Sequence, residues 1–520
     1  MNTKFVSLEE AIEQVKDNDT VATSGFVQVA NPEALEWALG KRFEETNSPK
    51  DLTLFYCAGQ GDGNNRAVNH FAKEGLLKRV IAGHMNSAPI LSDFIMKNKC
   101  EAYNIPQGIL CAMVRNVAAK KVGVISSVGL HTFADPRIEG CKSNSITTED
   151  VVELINIAGR EQLFYKAINL DVAFIKGSYA DTRGNISMEK EGVPTEATSI
   201  AQAVHNNGGT VIVQVDNIVK AGSLDPKLVK IPGIYVDYVV EVEDKNLKQQ
   251  CYGVDYEEEL AGKTSLSGGA LNVKASLNER KIIARRGTME IEKGNVGNLG
   301  IGVPEMVSSV VSEEGISDWM TLTVESGPVG GSPQAKNRFG TSINADAILD
   351  QPYQFDFYDG GGLDITFLGL AEADRFGNLN VSKFGGRVAG CGGFIDISQN
   401  AKKVVFCGSF TAGGLKVEVK DGELKILNEG KFKKFVKDVE QITFSGEYAR
   451  LTNQEVYYIT ERAVFKMMPE GITLIEIAPG IDLKKDVLNQ MEFTPLISKN
   501  LKLMDKRIFK DEVMNLKFDK

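Results

Sequence analysis

Residues 171–187, DVAFIKGSYADTRGNIS, return without a gap as residues 364–380, DITFLGLAEADRFGNLN. Asp, Phe, Ala-Asp and Gly-Asn coincide in both copies. Each copy reads as an apolar strand entering a turn, where Gly-Asn tolerates left-handed backbone angles. Two further pairs follow the same order. SGFVQVANPE (24–33) parallels NLGIGVPE (298–305), each a glycine-bearing strand end followed by Pro-Glu at a helix start. DLTLFYCAG (51–59) parallels WMTLTVESG (319–327). A shared order over hundreds of residues predicts two copies of one domain rather than a short-period solenoid. The length of 520 residues also exceeds what one hydrophobic core organises.

The runs DLTLFYCAG, KKVGVISS, LDVAFIKGS, GTVIVQV, WMTLTVESG, DITFLGL, KKVVFCGSF and ITLIEIAPG are short, apolar and unalternating. Such runs suit strands buried on both faces. Helical stretches such as NPEALEWALGKRFEE and VPEMVSSVVSEEG separate some of them. The expected fold is α/β: two related open domains with mostly parallel sheets. We place them at 1–265 and 280–520, joined by the Gly/Ser-rich stretch 256–279, with the site in the cleft between them.

A net charge of -10 argues against a nucleic-acid surface, yet helix starts and glycine loops can still hold anions. No apolar run approaches the ~18 residues of a membrane span. The first twenty residues show no secretory core; Ser7 and Glu10 read as a capping box. Seven scattered cysteines and four unclustered histidines, His70, His84, His131 and His205, point away from disulfides and structural zinc. We expect a cytoplasmic protein without a metal.

Four motifs stand out. The run MTLTVESGPVGGSPQ ends a strand at Glu325 and continues through three glycines. Glu325 aligns with Cys57 in the other copy, so the turn itself does not require an acid. GNVGNLGIGVPEMV places Gly300 and Gly302 before a helix whose first turn holds Pro304 and Glu305, a phosphate-compatible arrangement that lacks the third glycine of a dinucleotide fingerprint. FGGRVAGCGGFIDI surrounds Arg387 and Cys391 with five glycines, which favours close approach of backbone or ligand over a packed strand. Cys391 has no histidine near it in sequence and reads as a small packed residue. DFYDGGGLD (356–364) reads as a solvated turn rather than a metal site. NIPQGILCAMVR carries Gln107 just before a helical run.

Together NLGIGVPE, TVESG, GCGGFIDI and ITERAVF…EGITLIEIAPGID resemble the family I CoA-transferases over nearly the whole chain. FDFYDGGGLDITFLGLAEADRFGNLNVSKFGG is closest to the branch of single-chain bacterial acetate or propionate CoA-transferases. The resemblance implies CoA transfer between a short-chain acyl-CoA and a free carboxylate, with Glu325 as the nucleophile and a glutamyl-CoA thioester as the covalent intermediate. Glutamate carboxylates are ordinarily ionised near neutral pH, and a carboxyl nucleophile can join an exchange between carboxylates. Gln107 matches the position that donates to the oxyanion. Gly300, Gly302, Gly390, Gly392 and Gly393 match segments that approach CoA, with Lys383 and Arg387 as phosphate partners. The resemblance implies no cofactor, since CoA is a substrate, and it implies a homotetramer. Ser326 and Pro328 vary within the family and bear on the acyl pocket. An acyl-CoA hydrolase on the same fold, and a non-catalytic metabolite sensor, are the alternatives.

Overall fold

The computed structural model describes residues 3–266 and 276–516. These fall into two compact units. The first takes Met1–Leu266, Val324–Asp359 and Lys383–Asp396; the second takes Ser267–Thr323, Gly360–Ser382 and Ile397–Lys520. Two stretches of the chain's second half thus belong with its first half, whereas a division into 1–265 and 280–520 would assign them to the other side. The join at 256–279 lies partly outside the described residues.

In the first unit, the unalternating apolar runs form strands β1 (Thr20–Thr23), β2 (Leu52–Tyr56), β3 (Leu77–Ala82), β4 (Glu101–Asn104), β5 (Val172–Asp181), β6 (Thr210–Val219) and β7 (Tyr238–Glu241). They lie in the order β7-β6-β5-β1-β2-β3-β4, and every neighbouring pair is parallel. Helices α1 (Leu8–Ile12), α2 (Glu33–Thr46), α3 (Pro89–Met96), α4 (Gln107–Ala118) and α5 (Ala197–Asn206) connect or flank them. The Ser7–Glu10 capping box forms as expected. Leu35, Leu39 and Phe43 of α2 and Leu91 and Ile95 of α3 share one core with Leu52 and Leu54 of β2. Burying each such side chain contributes about 1.5–3 kcal/mol before entropy is counted. KKVGVISS differs from expectation: Gly123–Ser126 belongs to a small antiparallel sheet with Val152–Ile157 and Arg160–Lys166.

In the second unit, β8 (Asn295–Leu299), β9 (Met320–Thr323), β10 (Ile365–Gly369), β11 (Lys403–Cys407) and β12 (Glu455–Ile459) form a parallel run in the order β9-β8-β10-β11-β12. The order in the first unit, β2-β1-β5-β6-β7, is the same. An antiparallel extension, Ala463–Met468 and Gly471–Ile477, follows on β12. Helix α6 (Met306–Glu313) begins later than the sequence suggests. Pro304 stands before it and Glu305 takes the cap position, so neither lies in its first turn.

The repeat has a polar skeleton. Asp171 accepts from the Thr20 amide at 2.9 Å, and Asp364 accepts from the Val296 amide at 2.8 Å. Asp181 closes its turn by accepting from the amides of Arg183 and Asn185 and from the Asn185 side chain. Asp374 does the same with Phe376, Asn378 and the Asn378 side chain. Gly184 and Gly377 have φ of +82° and +80°, which explains the glycine in each copy.

The reading of DFYDGGGLD as a solvated turn is corrected. Its first half ends helix α7 (Gln351–Asp359). Asp356 forms a bidentate pair with Arg115 at 2.5 and 2.6 Å, while burial, and then Asp356, raise Asp359 to about 7.

Candidate active site

Glu325 is the second residue after β9 and is partly exposed between two buried neighbours, Val324 and Ser326. The loop that carries it is tightly held. Val324 donates to the Pro328 carbonyl at 2.9 Å, Gly327 to Val324 at 3.0 Å, and Leu349 to Gly327 at 3.0 Å. The Ser326 hydroxyl donates to the Gly340 carbonyl. Gly327 has φ of +133°, and a Cβ there would stand 2.0 Å from the Leu349 carbonyl oxygen. Backbone bonds and the Ser326 hydroxyl thus fix the loop on either side of Glu325.

Gln107 opens α4 and is 2% exposed. Its backbone N–H donates to the Gly392 carbonyl at 3.0 Å. Its side-chain Nε2 is buried and has no hydrogen-bond acceptor among the described residues. A buried amide left unpaired costs about 1–3 kcal/mol. Such a group is retained where a ligand supplies the missing acceptor.

Asn104, at the end of β4, ties the surroundings of Gln107 together. Its Nδ2 donates to the carbonyls of Ala82 and Gly83, at 3.0 and 2.6 Å, and its Oδ1 accepts from the Cys391 amide at 3.0 Å. Gly392 donates to the Gly83 carbonyl at 2.7 Å. The glycines of GCGGFIDI permit this contact. Gly390 has φ of +87°, and a Cβ on it would lie 2.8 Å from the His84 Cα. A Cβ on Gly392 (φ +53°) would lie 3.5 Å from the Gln107 Oε1; Gly393 is buried beside it.

Lys383 and Arg387 stand on a short hairpin in this segment. Arg387 is exposed and donates to the Asn86 side chain at 2.8 Å. Glu325, Gln107, Gly390, Gly392, Gly393, Lys383 and Arg387 all belong to the first unit. Contacts lead from the Glu325 loop toward Gln107: Gly340 packs on Phe26, Val27 donates to the Gly59 carbonyl, and Gly59 lies against His84.

Gly300 and Gly302 belong to the second unit, just past β8. Gly300 donates to the Phe367 carbonyl at 2.8 Å, and a Cβ there would meet Leu368 at 3.2 Å. Gly302 has φ of +94° and open space where a Cβ would stand.

Sequence reasoning passed over His84, whose value lies in tertiary placement beside Gly59, Gly390 and Gly392. Burial lowers its ring to about 4, so it is neutral at pH 7. Cys391 and Cys57 are both buried, and burial raises both thiols well above the ordinary range. Neither is poised as a thiolate.

Comparison with known proteins shows the class of enzyme to which this fold belongs. Residues 5–242 match the Coenzyme A transferase family model. The chain is 47% identical to the caffeate CoA-transferase of Acetobacterium woodii over 514 residues, 98% of each chain. It is 44% identical to the acetate CoA-transferase YdiF of Escherichia coli O157:H7 over 511 residues, 98% of this chain and 96% of that protein. The crystal structure of the acyl-CoA transferase YdiF apoenzyme superposes with a TM-score of 0.94 at 44% identity, covering 99% of this chain and 98% of the other. A YdiF thioester complex with CoA matches equally well. The chain belongs to the CoA-transferase family. It is an α/β enzyme that transfers CoA.

Proposed function

We propose that the enzyme moves CoA reversibly between a short-chain acyl-CoA and a free carboxylate such as acetate, through a glutamyl-CoA thioester on Glu325. The observation that carries this reading is the unpaired, buried Nε2 of Gln107 in the unit that also holds Glu325. Family membership and the thioester complex of YdiF support it.

The Glu325 carboxylate attacks the thioester carbonyl carbon, and the C–S bond breaks to release CoA thiolate. The product is an acyl-glutamyl anhydride. The thiolate then attacks the glutamyl carbonyl and expels the acyl group as a carboxylate. An acceptor carboxylate reverses both steps. Each attack places negative charge on a tetrahedral oxygen, and Gln107 Nε2 is the donor for it. In the first step the acyl C–S bond breaks as an acyl C–O bond to Glu325 forms, and in the second a glutamyl C–S bond forms as the anhydride C–O bond breaks, so CoA serves as substrate and the reading calls for no further cofactor. Gly300, Gly302, Gly390, Gly392 and Gly393 admit the CoA chain, with Lys383 and Arg387 toward its phosphates.

The same reading takes the enzyme to work as a homotetramer in the cytoplasm. Light scattering on the purified protein tests the first part. The central test is incubation with acyl-CoA in the absence of acceptor. A peptide carrying CoA at Glu325 is expected by mass spectrometry; an adduct at another side chain overturns the assignment. Turnover without any acceptor carboxylate would instead identify a hydrolase.

A further inference from the structure

The parallel strands of the second unit end in a crevice. The chain runs from β8 out to β9 on one side and returns to β10 on the other. The gap between β8 and β10, at the carboxyl ends of the strands, is therefore a topological switch point, where open α/β sheets hold ligands. Gly300 and Gly302 leave β8 there, and Gly369 ends β10 with open space where a Cβ would stand. Gly408, just past β11, lies on the other side of β10, against the Leu370 carbonyl.

An ammonium group reaches this end of the sheet. Lys434 is half-buried, and its backbone carbonyl accepts from the Ala373 amide at 2.7 Å. A Cβ on Gly408 would stand 2.9 Å from the Lys434 Nζ, so the glycine makes room for it. Among the described residues Nζ has neither a hydrogen bond nor an ion pair. The acid that acts on it, Glu461, is already engaged: it accepts from the Arg462 Nε at 2.7 Å and from the Phe410 amide at 2.9 Å. Burial lowers Lys434 to about 8, so it is still mostly charged at pH 7.

The first unit shows the matching position filled. Lys176 is the gapless counterpart of Gly369, and its side chain leaves β5 where Gly369 leaves β10 open. The Lys176 ammonium is buried, pairs with Glu191 at 2.6 Å and donates to the Gln249 carbonyl at 2.9 Å. One copy thus supplies both the cation and its counter-charge. The other supplies an opening and a cation whose counter-charge must come from outside. A desolvated charge without a partner is costly, and a bound anion removes that cost.

We infer that Lys434 is a phosphate-binding residue, whose ammonium holds a phosphate group of acyl-CoA at the carboxyl ends of β10 and β11. This rests on the reading that CoA passes Gly300 and Gly302; all of these residues belong to the second unit. Of the two substrates, acyl-CoA alone carries phosphate, and a lysine ammonium is a common phosphate partner.

The test compares the full-length wild type with Lys434→Met and Lys434→Gln. Calorimetry with CoA is expected to give a Kd about 10- to 100-fold higher in each variant, the worth of one hydrogen bond to a charged group. Kinetics then use acetyl-CoA, acetyl-dephospho-CoA and S-acetylpantetheine as donors. The variants are expected to lose kcat/KM for acetyl-CoA by the same factor and to match wild type with S-acetylpantetheine, which has no phosphate. A loss that vanishes with the dephospho donor supports contact with the 3′-phosphate; one that persists supports contact with the pyrophosphate. Should the Met variant fail to fold, the Gln variant decides. An unchanged Kd, an equal loss with S-acetylpantetheine, or a loss confined to the KM for acetate would overturn the inference and leave the role of Glu325 standing. Absence of a CoA adduct on Glu325 would sink the covalent reading, while the Kd comparison, which forms no covalent bond, would still decide the role of Lys434.

Discussion

At the scale of single residues, the chemistry asks for one nucleophile and one donor, and each makes a distinct prediction. Replacing Glu325 by alanine is expected to abolish exchange while leaving the melting temperature close to wild type. The loop is held by the backbone of Val324 and Gly327 and by the Ser326 hydroxyl, none of which the substitution touches. A large fall in melting temperature would assign Glu325 a structural task instead. Gln107→Ala is expected to lose about 2.7–4 kcal/mol of transition-state stabilisation, the usual worth of one oxyanion donor. The loss belongs in kcat, because the charge exists only during reaction. A raised KM with normal kcat would make Gln107 a binding residue. Cys57→Ala is expected to keep substantial activity, since its buried thiol is held protonated. Glu325 stands out in sequence because an acid ends an apolar run whose other copy carries cysteine, and its proposed role comes from the family resemblance. The placement of His84 beside Gly59, Gly390 and Gly392 was not legible there, because those neighbours lie far away in the chain.

The elements show what a repeat preserves. Both copies keep the aspartate, glycine and asparagine of one turn because the backbone needs them, while the intervening residues differ freely. That skeleton was readable from two short segments. Asp181→Ala is expected to cost about 1–3 kcal/mol at pH 7, since it strips acceptors from two backbone N–H groups and the Asn185 amide. Burial raises the Asp181 carboxyl, but the hydrogen bonds from Asn185 and the backbone outweigh it, and the net direction is down. A group depressed in the folded state stabilises above its unfolded value, about 3.9 for aspartate, and loses that effect as pH falls through the folded value. The gap between wild type and variant should therefore narrow in urea titrations at pH 3 or below. A gap that holds constant with pH would show that the carboxylate charge is irrelevant. Element boundaries were less legible. Pro-Glu before α6 looked like a first helical turn, yet the chain uses those residues as a turn and cap.

For the whole molecule, the sequence order of strands predicted two related sheets but not how the chain is shared between units. Repeat matching compares strands with strands. It does not report that the stretches 324–359 and 383–396 fold with the first unit. Their attachment rests on pairs remote in sequence: Glu257 with Arg338, Lys230 with Asp350 and Arg115 with Asp356. A fragment ending at Leu266 would keep all seven parallel strands but lose these partners. It is expected to aggregate or unfold at low denaturant when expressed alone, because the surfaces those segments cover become exposed. A monodisperse fragment with one sharp unfolding transition would contradict this. There is a consequence for synthesis on the ribosome. Chains emerge at about 5–20 residues per second. The first unit lacks its last segment until Asp396 has been made, so its sheet exists for on the order of ten seconds before the piece that completes it. Folding of this half is set by the clock of translation, and holdase chaperones would meet it in that interval.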